Sequence, residues 1–441
     1  MEHDSSRARP SAERASLGAL SSGASTERNA AASETRLAER APNDARRLSI
    51  LALEPWMRGS HEQFLARWRR DSRHDVRVIG LAGRDWKWRM RASSHELAQR
   101  IAREKIEAPD VLFASDFVDV PGLYGWLPPS WGGVPCVLYF HENQLTYPLA
   151  PGVEPSERDL HFAFTNALSA LRASHVVFNS RYHRDDFARA ADEMLARAPR
   201  PNPRAALRAA LANADVIAPG IDLAEIALGK GAEDGAPLRV VFNHRWEHDK
   251  DPPAFLGAVR DALRQGARLE LVLLGESFDV LPPGAAELLD ELEPTVRERG
   301  FADRARYADL LARCDVVVST ARHEFFGIAL AEAMAAGCTP LAPARLSYPE
   351  LVPSELHARC LYRDADDLAV RMHDAASNPR AFRANVPDGT RTIGAEMRAR
   401  MRAAIEPFAA DRCAQRLDDL VAIAARGRGR ETRETSDTSV G

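Results

Sequence analysis

The sequence predicts an α/β protein of two doubly wound, Rossmann-like domains that face each other across a cleft. Three observations carry that expectation. Short, continuously apolar runs of strand length alternate with helical periodicities, the pattern of parallel strands buried on both faces. The pattern occurs twice, on either side of the Gly-rich, aperiodic stretch GKGAEDGAP (229–237), which reads as a hinge. And 441 residues exceed what one hydrophobic core usually serves.

Residues 1–44 are mostly Ser, Ala, Arg and Glu, too poor in apolar surface to offset the entropy of ordering, and read as a disordered tail whose acidic residues argue against a transit peptide. The first domain is placed at 45–222. LSILALE (48–54) reads as a buried strand, and HEQFLARWRR after it has helical periodicity. Ser60 with Gln63 forms a capping box that starts the helix just after Gly59. A strand, a Gly-containing loop and a helix N-terminus make a site for a phosphate or an acceptor, with Gly59 and Ser60 assigned to the donor; a plain first βα unit reads equally well. Further strands are expected at 76–83, 110–116, 134–143, 174–180 and 214–220.

The second domain, 223–400, repeats the pattern with strands at 238–245, 268–276, 315–322 and 338–343 and helices near 252–265, 326–336 and 365–376. A last helical run covers 397–425, its part 401–425 set apart from the domain, and 426–441 reads as a second disordered tail.

Composition narrows the classes. A hydrophobic share of 45% with 28% charged residues is that of a soluble globular protein, and a net charge of −4 argues against a chain that is basic all over while leaving room for a local basic patch. The five cysteines are never closer than 22 residues, so no zinc-ligand pair or CxxC motif exists, and a reduced, cytoplasmic protein is expected. No run reaches the roughly 18 apolar residues of a membrane span. No GxGxxG follows the first strand and no GxxxxGK[ST] occurs, which weakens dehydrogenase and P-loop kinase readings. Two Asp-x-Asp strings, Asp249–Asp251 and Asp364–Asp366, do not end hydrophobic strands, and no metal is expected.

Four stretches carry candidate chemistry. HEFFGIALAEAMAAG (323–337) places Glu324 just before a helix over 326–336 and Glu332 on its second turn, leaving the N–H groups of Phe326, Gly327 and Ile328 free for an anionic or hydroxyl-rich ligand such as a phosphorylated sugar. A surface helix with two solvated glutamates is the plain alternative. NHRWEHDKDP (243–252) sets Arg245 and Lys250 at the carboxyl end of a strand, where an open α/β sheet binds anions and a leaving diphosphate needs neutralising; a charged surface loop is its alternative. VLYFHENQLTYP (137–148) clusters His141, Glu142, Asn143 and Gln144 after a strand, an expensive grouping unless it meets a ligand. FNSRYHRDDF (178–187), with Asn179 and Ser180 at an N-cap and Arg181 in the first turn, is equally a solvated helix start or an acceptor contact. RDWKWRMR (84–91) interleaves two Trp with four cations, including Lys87 and Arg89; it suits stacking on bases while touching phosphates, or forms a surface hairpin or loop.

HEFFGIALAEAMAAG resembles the Glu-x7-Glu motif of retaining family-4 glycosyltransferases of the GT-B fold. The resemblance implies that Glu324 lies against the transferred sugar, that Glu332 bonds the nucleotide ribose, that Arg245 and Lys250 hold the donor diphosphate, and that His141 is the cleft histidine. Together with PWMRGSHEQF, HENQLTYP, FNSRYHRDDF, NHRWEHDKDP and SYPEL (347–351), it resembles more narrowly the tRNA-queuosine α-mannosyltransferases over roughly 45–400. That implies transfer of mannose from GDP-mannose, with retention, to the cyclopentenediol of queuosine at the tRNA wobble position. The acceptor side is then the first domain, with His141 and Asn143 meeting the diol, Glu142 and Arg181 as further acceptor contacts, and Lys87 and Arg89 in a basic surface with Arg67, Arg69, Arg70, Arg91, Trp86 and Trp88 for the anticodon stem-loop. It also implies that the last helix crosses back onto the first domain. The chain departs from the family in its long tails and in the Arg/Ala-rich stretch 188–212. Two alternatives stay open: a GT-B transferase with a small-molecule or lipid acceptor, and a non-catalytic nucleotide-sugar or RNA-binding protein.

Overall fold

A computed structural model describes residues 46–149, 152, 159–275, 281–383 and 393–437. The tail expected at 1–44 and the last residues, 438–441, lie outside them.

The first domain runs β1 (Ser49–Met57), α1 (Gly59–Asp71), β2 (Asp75–Ala82), α2 (Trp86–Arg103), β3 (Val111–Ser115), α3 (Val120–Trp126), β4 (Cys136–Phe140), α4 (Leu160–Arg172), β5 (His175–Phe178), α5 (Arg181–Ala196), α6 (Arg204–Ala212) and β6 (Asp215–Val216). Its sheet is parallel in the order β2-β1-β3-β4-β5-β6. The second domain runs β7 (Leu238–Phe242), α7 (Pro252–Arg264), β8 (Leu269–Leu274), α8 (Ala285–Leu292), β9 (Val296–Gly300), α9 (Arg304–Ala312), β10 (Val316–Val318), α10 (Ile328–Ala335), β11 (Thr339–Pro343), α11 (Tyr348–Leu351), α12 (His357–Cys360), β12 (Leu361–Tyr362) and α13 (Ala365–Ser377). Its sheet is also parallel, in the order β12-β11-β10-β7-β8-β9. Strands β3, β4, β8, β10 and β11 are buried along their whole length, as continuously apolar runs require when helices cover both faces.

In each sheet the winding reverses, between β1 and β3 in the first and between β7 and β10 in the second. A crevice opens at such a reversal beyond the carboxyl ends of the strands.

The chain passes between the domains twice, and the two passes touch. Ile221 N–H donates to Phe408 O at 2.7 Å, and Ala410 N–H donates to Ile221 O at 2.9 Å. The stretch 229–237 is not the hinge. Gly229 N–H is bonded to Ala336 O, a Cβ on Gly229 would stand 2.0 Å from Ala312 O, and one on Gly231 would stand 2.5 Å from Asp315 Oδ1, so these two are glycine because the stretch is pressed onto the second domain.

The expected terminal run is two helices, α14 (Ile393–Ile405) and α15 (Ala410–Asp437), separated by a short 3-10 turn at Glu406–Phe408. Helix α14 packs on α10 of the second domain, and α15 crosses to the first, lying on α1, β3 and β4. There Asp418 accepts from Trp68 Nε1 at 2.8 Å, Ser72 Oγ at 2.7 Å and Arg73 N at 2.8 Å. Cys413, Leu417, Leu420 and Val421 join Phe64, Trp68, Phe113 and Tyr139 in one buried cluster. Residues 426–437, expected to be disordered, continue α15 as helix, since Arg and Glu are good helix formers. No helix among the described residues is long and apolar enough to cross a membrane. None of the five cysteines is in a disulfide, and all are buried.

Candidate active site

The second-domain crevice is built by the loops after β7 and β10. Lys250, on the first, reaches the second: its Nζ donates to Glu324 Oε2 at 3.1 Å and to His323 O at 3.1 Å, and stands 3.2 Å from Asp249 Oδ2. Thr320 Oγ1 fixes the loops together by donating to the carbonyls of Lys250 and Asp251, both at 2.9 Å. Burial works to raise the Glu324 carboxyl, but the Lys250 ammonium, helped by His244, holds it below the usual range, so the pair stays ionised. Arg245 leaves the same loop with its side chain half exposed, 3.3 Å from Glu247. It lies close enough to Glu142 and Tyr147 of the first domain to feel their charge.

The helix after Glu324 begins at Ile328, two residues later than the expected 326. Gly327 sets the start: its φ of +97° is left-handed, and a Cβ there would press on Tyr348 and Leu351 at 3.2 Å. Phe326 and Gly327 therefore belong to the loop, and with Ile328 they form the N-terminal entry to α10. Glu332 is buried on α10, where Arg304 Nη1 donates to its Oε1 at 2.7 Å and Arg67 of the first domain approaches to 3.9 Å.

The first-domain crevice faces these groups. His141 follows β4; its N–H donates to Asp116 Oδ1 at 2.8 Å, its carbonyl accepts from Asn179 Nδ2 at 2.8 Å, and its Nε2 is buried without a hydrogen-bond partner. Its ring stacks on that of His61, centroids 4.0 Å apart. His61 Nδ1 lies 3.1 Å from Glu54 Oε2, while Glu54 Oε1 accepts from Trp56 N at 2.8 Å and from Ser115 Oγ at 3.0 Å. Burial works to lower the His61 pKa, yet Glu54, with Asp116 and Glu142 adding, carries it up to about 9. His141 goes the other way, well below the ordinary imidazole value, through burial and then repulsion from His61. Burial, with Glu142 adding, pushes the Asp116 carboxyl well above its usual range against the pull of His61.

Several sequence expectations need correction. Asn143 is fully buried and closes its own turn, Oδ1 accepting from Leu145 N at 3.0 Å and Thr146 N at 2.9 Å, so it shapes the loop instead of meeting an acceptor. Gln144 Nε2 donates to Glu142 Oε1 at 2.8 Å, which leaves Glu142 as the part-exposed acid of the group. Arg181 is drawn to Glu350 of the second domain, which accepts from Arg181 N at 3.1 Å and Tyr182 N at 2.6 Å and so caps α5 across the domain boundary. Ser180 Oγ donates to Phe325 O, and His183 stacks on Phe325 at 3.7 Å, so this stretch is an inter-domain contact. RDWKWRMR is the start of α2. Arg89 turns inward, Nη1 donating to Glu96 at 2.7 Å and Nε to Ala82 O at 3.1 Å, because a helix buries one side of so mixed a segment. Lys87 remains exposed, beside a Trp88 that is 64% exposed. Arg67 is likewise buried, donating to Gly220 O at 3.0 Å. No side-chain cap forms at α1: Gly59 is its first residue, Arg58 stands at the cap, and both Gly59 and Ser60 are exposed at the mouth of the crevice.

Comparison with known proteins decides what this site belongs to. Residues 49–221 match the family described as tRNA-queuosine alpha-mannosyltransferase N-terminal, and residues 225–391 match glycosyl transferases group 1. A Drosophila melanogaster tRNA-queuosine alpha-mannosyltransferase is 32% identical over 343 residues, which cover 76% of this chain and 88% of that one. The chain belongs to the tRNA-queuosine α-mannosyltransferase family.

Within the same comparison, a Xanthomonas campestris GDP-mannose:cellobiosyl-diphosphopolyprenol alpha-mannosyltransferase is 26% identical over 269 residues, covering 56% of this chain and 64% of that one. Among solved structures, Anabaena HepE in complex with UDP-glucose superposes with a TM-score of 0.57 at 16% identity, over 85% of this chain and 99% of that one. The fold is GT-B and the protein is a glycosyltransferase.

For a member of this family, the residues that sequence reasoning missed are Glu54, His61, Asp116, Arg304 and Glu350. Glu54 and Asp116 each stand at the carboxyl end of an apolar run, in LALEP and FASD, where an acid is costly to bury without purpose. That signal was available. Arg304 carries no local signal, because its partner is 28 residues away, and Glu350, though it stands in SYPEL, has its partner 169 residues away, which that string does not show.

Proposed function

We propose that this protein transfers mannose from GDP-mannose to a hydroxyl of the queuosine cyclopentenediol at the tRNA wobble position, with retention at the anomeric carbon. The observation that carries the reading is the opposition of two unlike crevices. The ionised Lys250–Glu324 pair and Arg245 lie on one side, the His61–His141 stack on the other. In the transfer, the bond from mannose C1 to the phosphate oxygen breaks, GDP keeps the electron pair, and the hydroxyl oxygen bonds C1 on the same face while its proton leaves with the diphosphate. Arg245 and Lys250 offset the charge that builds on the diphosphate, Phe326, Gly327 and Ile328 turn a helix N-terminus toward it, Glu324 lies against the sugar and Glu332 takes the ribose.

The reading needs no divalent metal, because the two cations and the helix end already supply positive charge. Among the described residues one set has metal-like proximity, Glu54, His61 and His141 with ligand atoms within 4.8 Å of one another, and it stands on the acceptor side. Its two imidazole rings are stacked, their planes 30° apart. A cytoplasmic setting fits five buried cysteines that form no disulfide and a tRNA substrate. Lys87, Trp88 and Arg91 of α2 are exposed cations and a stacking surface for the anticodon arm.

The assay offers GDP-mannose with queuosine-containing and queuosine-free tRNA in parallel, with and without EDTA. Mannose should enter the first tRNA alone and GDP should appear in step, at the same rate in EDTA. Transfer to a lipid diphosphate sugar instead would move the acceptor, and nucleotide binding without GDP release would leave a binding protein.

The two glutamates should separate in kinetics. Glu324→Ala should lower kcat by about 10²-fold or more with GDP affinity little changed, whereas Glu332→Ala should chiefly weaken donor binding. Equal effects of both on GDP affinity would reverse the assignment.

A further inference from the structure

Glu324 stands at the tip of the loop after β10, and its two neighbours in the chain both lie against the other domain. Phe325 is buried on the first turn of α5: its ring lies on that of His183, centroids 3.7 Å and planes 21° apart, and its carbonyl accepts from Ser180 Oγ. Ser180 is the N-cap of α5. Its oxygen accepts from His183 N–H at 3.0 Å, and its one proton goes to Phe325. His183 is fixed in turn, Nδ1 standing 2.9 Å from Asn179 Oδ1 and the ring edge-on to Phe178 at 5.0 Å. On the other side of Glu324, the His323 ring meets Tyr147 of the loop after β4 at 4.9 Å and Phe325 edge-on at 4.2 Å.

The groups assigned to the diphosphate are held differently. Lys250 bonds the His323 carbonyl and the Glu324 carboxylate from within the second domain, and Ser347 Oγ donates to Phe326 O at 2.9 Å. The second domain therefore secures the chain at 323 and again at 326. Between those points the Phe325 carbonyl accepts from the first domain.

We propose that Ser180 and His183 of the first domain are positioning residues for Glu324, gripping Phe325 by carbonyl and ring so that the sugar-facing carboxylate is in place only while the two domains are in contact. This rests on the role given to Glu324 above. A bond to the carbonyl of the next residue, together with a stack on its ring, fixes the backbone from which the Glu324 side chain leaves, whereas Lys250 restrains only the far end of that side chain. Misplacing a reacting group by about 1 Å costs up to about 10²-fold in rate. The diphosphate contacts do not depend on the grip, so donor binding and turnover separate.

Ser180→Ala removes the bond to Phe325, and Phe325→Leu keeps an apolar side chain while removing the ring on which His183 stacks. In each, kcat for mannose transfer should fall about 10- to 100-fold. GDP affinity by calorimetry should stay within about twofold of wild type, because the effect is on a group met by the sugar and not by GDP. The decisive reading is a double-mutant cycle: added to Glu324→Ala, either change should cost no more than about twofold, since its effect passes through the missing carboxylate. Wild-type kcat in both single variants overturns the assignment. So does a full loss repeated in the Glu324→Ala background, or GDP affinity that falls in step with kcat in both variants, which is what a purely structural junction gives. Where Ser180→Ala alone no longer binds GDP, its helix cap has been lost with the fold, and Phe325→Leu decides by the same cycle. A wild-type kcat in Glu324→Ala by itself removes the role of that carboxylate, and this failure of the underlying reading shows in the single variant before any cycle is closed.

Discussion

Replacing Lys250 by alanine should reduce GDP affinity about 10- to 100-fold and turnover further still. One charge-assisted contact to a diphosphate is worth about 1.5–3 kcal/mol, which sets the loss in binding. Turnover suffers twice. The same ammonium holds the buried Glu324 carboxyl below its usual range, and without it burial wins and the carboxyl pKa rises. The acid limb of activity should therefore move toward neutral pH in Lys250→Ala. Lys250→Arg should recover part of the affinity but not the limb, since a planar guanidinium cannot serve Glu324, Asp249 and the His323 carbonyl as one compact ammonium does. Calorimetry with GDP and a pH–rate profile check both parts, and affinity within twofold of wild type would remove Lys250 from the diphosphate site.

The largest stability effect away from the cleft should come from Asp418→Ala. Three donors of the first domain, Trp68 Nε1, Ser72 Oγ and Arg73 N, converge on this one carboxylate from α15. Trp68 and Asp418 are almost wholly buried, so removal strands the indole N–H away from water. The expected cost is about 3–5 kcal/mol, in line with breaking a buried charged network. Asp418→Asn keeps an accepting oxygen and should lose roughly half as much. Urea titration reads both, and a midpoint unchanged in Asp418→Ala would mean that α15 is held by its apolar face alone.

How much of this was legible in the sequence depends on the range of the interaction. The runs VLFAS and CVLYF, each ended by a polar residue, are strands because both faces are covered and all five residues of each are buried. Strand β9, VRERG, carried no such mark: it is a sheet edge whose side chains alternate between half-buried and exposed, so charge replaces apolarity. Lys250 and Glu324 were visible because each stands in a motif at a strand's carboxyl end. Asn143 misled for the opposite reason, since a polar residue after a strand serves a turn as readily as a ligand, and only its bonds to Leu145 and Thr146 tell the two apart. Arg89 misled because its segment was read as a surface, while helical phase sends it inward.

The crossing of α15 onto the first domain bears on how the chain is made. Translation runs from β1 onward, so the face formed by Phe64, Trp68, Phe113 and Tyr139 is complete once the first sheet has emerged, but its cover is encoded only after residue 410. At about 5–20 residues per second, the nascent first domain waits roughly 10–40 s with that aromatic face uncovered, while the whole second domain is synthesised and folds. During that interval the ribosome holds a nearly finished domain with an apolar face of the kind chaperones and neighbouring nascent chains bind. The closing step waits until α15 itself has left the exit tunnel. A message or protease that shortens the chain before residue 410 spares every cleft residue named above and still leaves the first domain without its cover.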